Sequence, residues 1–193
     1  GALLDVLDGR SVTKLDDIPG LAFIRDGTLR QTEERALLRD LDVLPPPARD
    51  LVDIPAYERA WRTHHGYFSM NMVTTRGCPF KCNWCAKPIY GNRYNSRSPE
   101  SVAAELREIK TRYRPDHIWF ADDIFGLKPV WVERFSRSVV DEDAIIPFKI
   151  QARVDLLDET VVRALKTAGC RSVWVGAESG SQKILDAMEK GTT

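Results

Sequence analysis

Along residues 69–193, segments with two different patterns of hydrophobic and polar positions alternate. Short apolar runs typical of strands occur at residues 70–75, 116–121, 148–152 and 172–176. Between and after them, apolar residues recur every three or four positions, as in helices, at about residues 98–113, 129–140, 158–169 and 181–191. Strands that alternate with helices predict a parallel sheet built from right-handed crossovers, and hence an α/β fold.

Several residues mark the ends of the predicted helices. Ser98 followed by Pro99 suits a helix N-terminus, because serine caps the free N–H groups and proline tolerates the first turn. Asp158 and Ser181 are predicted to cap the next helices in the same way. Gly169 is predicted to end the helix that Asp158 begins.

The first 68 residues lack this regular alternation. Residues 1–40 predict a small appendage, with a short helix ending near Gly9 and a strand followed by an Asp26-Gly27 turn. Residues 41–68 contain Pro45, Pro46, Pro47 and Pro55, which disfavour both a helix and a central strand. We therefore expect three parts: an appendage over 1–40, a proline-rich connector over 41–68, and the α/β core over 69–193.

Composition excludes some functions. The 193 residues contain 28 Lys plus Arg and 28 Asp plus Glu, so the formal charge is zero and nothing favours nucleic acid as a partner. No long uncharged apolar segment and no secretory leader is present, so we expect no membrane span and a cytoplasmic location.

Residues whose side chains could bind a ligand or take part in a reaction follow each predicted strand. A cysteine-rich segment follows the first strand, Asp122 and Asp123 the second, Arg153 the third, and the loop 176–181 the fourth. The carboxyl ends of parallel strands meet at one edge of a sheet, where active sites gather in such folds. We therefore expect these four loops to lie close together.

The cysteine-rich segment carries the most specific signal. Cys78, Cys82 and Cys85 fall within eight residues, and three thiolates on one loop can hold three corners of a four-iron cluster. The fourth iron would then lack a protein ligand and could bind a small molecule. Cys170, at a predicted helix–strand junction, is expected to be a structural buried thiol.

A zinc site is the alternative from a different functional class. His64 or His65 could complete a Cys3His site in a zinc-stabilised, non-catalytic binding module. The three cysteines do not form the two separated ligand pairs typical of zinc modules, and a disulfide scaffold does not suit three crowded thiols in a chain of this size.

The motifs together resemble the radical S-adenosylmethionine superfamily. The cysteine spacing, with Trp84 just before the last cysteine, looks like the signature of that superfamily. The further segments that carry the resemblance are Thr75-Arg76-Gly77-Cys78-Pro79, Trp119-Phe120-Ala121-Asp122-Asp123, Ala152-Arg153-Val154-Asp155, Gly176-Ala177-Glu178-Ser179-Gly180-Ser181 and Met188-Glu189-Lys190-Gly191-Thr192. The set is similar to the branch with a cobalamin-binding domain, which includes methyltransferases and the anaerobic magnesium-protoporphyrin monomethyl ester cyclase.

The resemblance covers residues 69–193 and implies a fold. It predicts a partial parallel (βα) barrel, with about four of the family's six βα units, preceded by a small N-terminal appendage. Residues 1–40 would be the tail of a cobalamin-type domain, and the chain an excerpt of a longer enzyme.

The resemblance also implies a reaction. Cys78, Cys82 and Cys85 would bind a [4Fe–4S] cluster whose open iron chelates S-adenosylmethionine. Reductive cleavage would give a 5′-deoxyadenosyl radical, most simply for cobalamin-dependent methyl transfer to an unactivated carbon, with oxidative cyclase-type chemistry as the alternative. The implied partners are a small-molecule substrate and an electron donor such as flavodoxin or ferredoxin, with cobalamin bound mainly by a domain outside this chain.

Six further residues are predicted to contact the cofactor, each with an ordinary structural alternative. Trp84 would pack near the adenine, or be a buried aromatic that steadies the loop. Asp122 or Asp123 would bind the amino end or ribose, or cap a helix. Arg153 and Glu178 would position the ribose and methionine portions, or pair with each other.

The last predicted contact is Ser179, which lies in the loop 176–181, whose backbone N–H groups could cradle a carboxylate. Arg76 and Lys81 flank the cysteines and could tune the cluster potential or simply be solvated. No residue is identified as a catalytic acid or base.

Overall fold

A computed structural model of the protein describes residues 2–9, 14–86 and 90–193, and the chain divides into two compact units, Gly1–Leu38 and Arg39–Thr193. The first unit contains helix α1 (Ala2–Leu7) and strands β1 (Ala22–Arg25) and β2 (Thr28–Gln31). The two strands pair antiparallel, and both residues of the Asp26-Gly27 turn have positive φ, which confirms the predicted hairpin turn.

The second unit contains a helix in the proline-rich segment, where the prolines predicted none. Helix α2 (Ile54–His65) contains Pro55, although prolines were predicted to keep helix out of the connector. That prediction was wrong because Pro55 lies in the first turn, where backbone N–H groups have no partner within the helix. Asp53 caps this turn by accepting a hydrogen bond from the Ala56 N–H at 3.0 Å.

The remaining elements form the predicted alternation. In chain order the strands are β3 (Ser69–Met72), β4 (Thr75–Arg76), β5 (Asn95–Ser96), β6 (His117–Phe120), β7 (Phe148–Ala152) and β8 (Cys170–Val175). The helices are α3 (Pro99–Arg112), α4 (Pro129–Asp141), α5 (Glu159–Ala168) and α6 (Gln182–Ala187). Strands β3, β6, β7 and β8 form a parallel sheet in that order, which confirms the α/β fold.

Most of the predicted helix ends are also confirmed. The Ser98 hydroxyl accepts from the Ser101 N–H at 3.1 Å, and Asp158 accepts from the Val161 N–H at 2.8 Å. Gly169 ends α5 with a φ of +106°.

The last helix differs from its prediction. The Ser181 side chain makes no capping hydrogen bond to α6, and the helix ends at Ala187 rather than near residue 191. Glu189 adopts a φ of +53°, which interrupts the helix and lets Lys190 turn towards the interior. None of the helices within the described residues has the length and apolar character of a membrane span.

The two faces of the sheet differ in character. Helices α3, α4 and α5 cover one face, and their apolar residues join those of the strands in a single core. Phe120, Phe125, Phe135 and Phe148 form its aromatic centre, with ring centroids 5.0 to 6.3 Å apart. Because strand side chains alternate, the other face carries polar and aromatic groups, namely Asn71, Trp119, Lys149, Gln151 and Trp174.

Candidate functional site

The segments after the four parallel strands surround one cavity of about 440 Å³. Its lining includes all three clustered cysteines and the predicted residues Trp84, Asp122, Asp123, Arg153 and Glu178. The four loops therefore meet at the carboxyl edge of the sheet, as expected from its topology. Ser179 does not line the cavity; its hydroxyl instead accepts a hydrogen bond from the Ser181 N–H at 3.1 Å.

A short ribbon holds the two ends of the cysteine loop. Strands β4 and β5 pair antiparallel on either side of the loop, with Arg76 opposite Asn95. Gly77 follows with a φ of +82°, and a Cβ at this position would overlap the Arg93 carbonyl oxygen and lie 2.9 Å from the Tyr90 Cβ. Only glycine therefore fits where the chain enters the loop.

Asn83 fastens the middle of the cysteine loop to the end of α6. Its N–H donates to the Met188 carbonyl at 3.1 Å, and its side-chain amide donates to the Ala187 carbonyl at 2.7 Å. Asn83 could not be identified from the sequence, because no local pattern indicates a partner 104 positions away. The contact sets the position of the cysteines relative to the chain after β8.

Asp122 connects the ends of two strands of the sheet by hydrogen bonds. Its side chain is almost completely buried and accepts from the Thr74 N–H at 2.7 Å, the Thr74 hydroxyl at 2.6 Å and the Thr75 N–H at 2.9 Å. Burial raises the pKa of Asp122 to about 6, although the hydrogen bonds from Thr74 and Thr75 act in the opposite direction. Its hydrogen bonds hold the entry to the cysteine loop against β6.

We expect Asp122 to make folding less favourable as the pH rises. Since its pKa is higher in the folded chain than the ordinary value of 3.8, the folded state binds more protons between about pH 4 and 6. This group should lower the free energy of unfolding by roughly 1.4 kcal/mol per pH unit in that window. Asp122→Asn removes this pH-dependent contribution. Urea unfolding at pH 4.5 and 6.5 should therefore give a smaller difference in the free energy of unfolding between the two pH values than in the wild type.

Asp123→Asn is the matched control for this measurement, because Asp123 is the neighbouring carboxyl and is exposed. It should retain the wild-type pH difference. An unchanged difference in Asp122→Asn would show that the buried carboxyl does not titrate in this range.

Asp123 and Trp84 are two of the exposed residues in the cavity lining. The Trp84 side chain is 53% exposed, so the alternative that it is a buried aromatic is wrong. With Asp122 already holding Thr74 and Thr75, Asp123 is the carboxylate of this pair that remains accessible to a ligand. Both side chains can therefore contact a molecule that enters the cavity.

Arg153 is buried beside the cysteine loop and makes contacts in four directions. It binds Asp155 with two hydrogen bonds of 2.9 and 3.0 Å and donates to the Lys190 carbonyl at 2.8 Å. A third nitrogen donates to the Cys82 Sγ at 3.7 Å. Its guanidinium also lies over the Phe80 ring, 3.7 Å from the centroid.

Glu178 pairs with Lys190 rather than with Arg153. The Lys190 ammonium is buried and donates to the Glu178 carboxylate at 2.9 Å, so the structural alternative of an Arg153–Glu178 ion pair is wrong. The two charges belong to separate pairs because the chain after α6 returns to the cavity. A Cβ on Gly176 would lie 2.8 Å from this Glu178 carboxylate and 3.0 Å from the Lys190 ammonium.

The remaining residues singled out in the sequence lie outside the cavity lining. Cys170 begins β8 as predicted; it is partly buried, and burial raises the pKa of its thiol. His64 and His65 are in α2, and Arg76 lies over the Tyr90 ring at 5.7 Å. Lys81 is exposed.

The donor set suits a cluster of several irons. Over the described ranges, no three His, Cys, Asp or Glu side chains are grouped so as to hold one metal ion. A four-iron cluster makes a different demand, since each thiolate binds a separate iron. Three thiolates on one loop, all lining the same cavity, meet this demand.

Comparisons with known proteins give a consistent family. The Radical SAM superfamily matches residues 72–193. An uncharacterized methyltransferase of Pyrococcus horikoshii is 32% identical over 93% of this chain and 38% of its own length. The anaerobic magnesium-protoporphyrin IX monomethyl ester cyclase of Synechocystis sp. is 25% identical over 92% of this chain and 35% of its own length.

The fold has a close structural neighbour. The radical S-adenosylmethionine methyltransferase TsrM of Kitasatospora setae matches 100% of this chain and 38% of its own, with a TM-score of 0.74 and 19% identity. A second structure of that enzyme, with cobalamin and a [4Fe–4S] cluster bound, matches with a TM-score of 0.72. The chain thus spans a little over a third of the length of these proteins.

Proposed function

Because the chain belongs to the Radical SAM superfamily, we propose that Cys78, Cys82 and Cys85 hold a [4Fe–4S] cluster at which S-adenosylmethionine is cleaved. The observation that carries this proposal is that all three cysteines line one cavity with the residues that follow the parallel strands. When bound and reduced, the cluster supplies the electron that splits S-adenosylmethionine into methionine and a 5′-deoxyadenosyl radical.

The residues of this chain bind and orient the cofactor in this proposal. Asp123 accepts hydrogen bonds from the amino group or ribose, and the exposed Trp84 ring packs near the adenine. Glu178, held by Lys190, faces the same cavity and accepts from ribose hydroxyls. Ser179 contributes through the backbone of its loop rather than its hydroxyl, which already binds the Ser181 N–H.

We assign Arg153 to the cluster rather than to S-adenosylmethionine. Asp155, Lys190 and Cys82 already use donors on all three of its nitrogens. A hydrogen bond to a ligating sulfur stabilises the reduced, more negative cluster and thus raises its potential.

The reaction of the complete enzyme is proposed to be cobalamin-dependent methyl transfer to an unactivated carbon. The methyltransferase names of several relatives support it, and oxidative cyclase-type chemistry is the alternative that the cyclase relatives support. Residues 1–40 are then the tail of a cobalamin-type domain, residues 41–68 the connector and residues 69–193 part of the radical core. A flavodoxin or ferredoxin in the cytoplasm would supply the electron.

Anaerobic reconstitution tests the proposal. The full-length protein that contains these residues should take up iron and sulfide, turn brown, and release 5′-deoxyadenosine from S-adenosylmethionine when dithionite is added. A colourless protein that holds one zinc ion and releases none would contradict it and favour the zinc-stabilised module.

Removing the Arg153 side chain should make the cluster harder to reduce. In Arg153→Gln the hydrogen bond to Cys82 is lost, and we expect a midpoint potential at least about 60 mV more negative, a tenfold change for a one-electron couple. A redox titration followed by electron paramagnetic resonance measures this shift independently of turnover.

Lys81→Gln is the control, because it removes the same charge from the cysteine loop at an exposed position. The midpoint potential of Lys81→Gln should differ from that of the wild type by only a small fraction of the shift in Arg153→Gln. Equal shifts in both variants would show that net charge, and not the hydrogen bond to sulfur, sets the potential.

A further inference from the structure

A lysine contacts two indole rings on the face of the sheet opposite α3, α4 and α5. The Lys149 ammonium is 4.1 Å from the Trp119 ring centroid and 4.5 Å from that of Trp174. The two rings are 6.1 Å apart and inclined by 53°. Their register places Trp119 beside Lys149, and Trp174 beside Gln151.

Two polar groups in this cluster lack a partner of the kind they need. Within the part of the chain that the structure describes, Lys149 forms no salt bridge. The Trp119 Nε1 is buried and donates to no acceptor among the same residues. An unsatisfied buried N–H costs about 1–3 kcal/mol, so an acceptor at this place would be favourable.

The cluster is continuous with the cavity of the cysteines. Trp174 and Gln151 belong to the cavity lining, and Lys149 is two residues before Gln151 on the same face of β7. Trp174 is 54% exposed, so a molecule in the cavity can reach its indole, which lies 4.5 Å from the Lys149 ammonium.

We propose that Lys149, Trp119 and Trp174 form a substrate subsite for a flat, conjugated ligand that carries a carboxylate. The carboxylate accepts from the Lys149 ammonium, while the conjugated surface stacks on the exposed Trp174 indole. This inference rests on the proposed function, since it names the class of substrate whose C–H bond faces the same cavity.

The charge pattern favours such a ligand over a neutral or cationic one. The indole faces hold the ammonium in place but do not neutralise it, because a cation–π contact leaves the positive charge intact. A cationic ligand would be repelled by Lys149, and a neutral ligand would leave that charge uncompensated in a partly enclosed site.

Three small probes test the subsite in the full-length protein: 2-naphthoate, its neutral analogue 2-naphthamide, and cyclohexanecarboxylate, which has the charge without the conjugated ring. By calorimetry we expect 2-naphthoate to bind at least tenfold more tightly than either of the others. In Lys149→Met, 2-naphthoate should weaken at least tenfold and lose its advantage over 2-naphthamide.

Lys166→Met is the matched control, because Lys166 is an exposed lysine on α5, on the helix-covered side of the sheet. It should leave the binding of all three probes unchanged. If the wild type binds the three probes equally, or binds none, the subsite proposal is overturned. One such result would also explain the failure. If wild type binds no naphthoate and Lys149→Met unfolds at a much lower temperature than Lys166→Met, then Lys149 pairs with a carboxylate of the protein itself, and the subsite proposal is overturned.

Failure of this inference is distinguishable from failure of the proposed function. Wild-type protein that releases 5′-deoxyadenosine but does not prefer 2-naphthoate would overturn the subsite alone. Wild-type protein that prefers 2-naphthoate but never cleaves S-adenosylmethionine would overturn the proposed reaction and retain an anion-binding site.

Discussion

Cys82→Ala is expected to lose iron retention and S-adenosylmethionine cleavage together. Cys82 is the middle one of the three proposed cluster ligands, and its sulfur accepts a hydrogen bond from Arg153. Loss of a group that only hydrogen-bonds to a metal ligand lowers metal affinity or activity by about 10–100-fold, so loss of a direct ligand should reduce cleavage by at least about 100-fold. Iron per chain and 5′-deoxyadenosine released after reconstitution measure the two effects.

Cys170→Ala is the control for Cys82→Ala, because Cys170 is the one cysteine outside the loop. It begins β8, away from the cavity lining, and its Sγ lies 3.5 Å from the Ser172 carbonyl. Its replacement should preserve iron and cleavage. A Cys170→Ala variant that loses iron as Cys82→Ala does would contradict the three-cysteine ligand set, since Cys170 would then be a fourth ligand.

The elements that the sequence predicted well are those in which local chemistry and tertiary packing agree. Helix N-termini are an example, because a capping residue acts only on the next few residues of the chain. Ser98, followed by Pro99, and Asp158 both cap helices in this local way. The strands of the sheet were predictable because each is a short apolar run next to a helix. Since such strands run parallel, their carboxyl ends lie at the same edge of the sheet.

The parts that could not be predicted depend on partners that are far away in the chain. Lys190 binds Glu178, and Arg153 binds Asp155, the Lys190 carbonyl and Cys82. The sequence offered all these charges but could not choose among the pairs. The choice follows from the turn at Glu189, whose positive φ directs Lys190 inward. The hydrogen bond from Asn83 to Ala187 likewise joins residues that are far apart in the chain.

Gly77→Ala is expected to disrupt the cysteine loop, and the comparison with Gly91→Ala isolates the cause. Both glycines have positive φ, +82° and +58°, but a Cβ on Gly91 meets no atom of the described residues within 4 Å. The left-handed conformation alone costs about 1–2 kcal/mol for a residue with a Cβ, and Gly91→Ala should lose no more. Urea unfolding measures this loss of stability.

At Gly77 the same methyl group would also overlap the Arg93 carbonyl and press on Tyr90, so the backbone on one side of the loop has to move. Overpacking of this kind costs roughly a further 1–3 kcal/mol. Since Gly77 directly precedes Cys78, the displaced backbone carries the first thiolate with it, and iron retention should fall at least tenfold below that of Gly91→Ala. Equal iron retention in the two variants would show that the loop tolerates a side chain at its entry, and that the position of Cys78 does not depend on the close approach to Arg93.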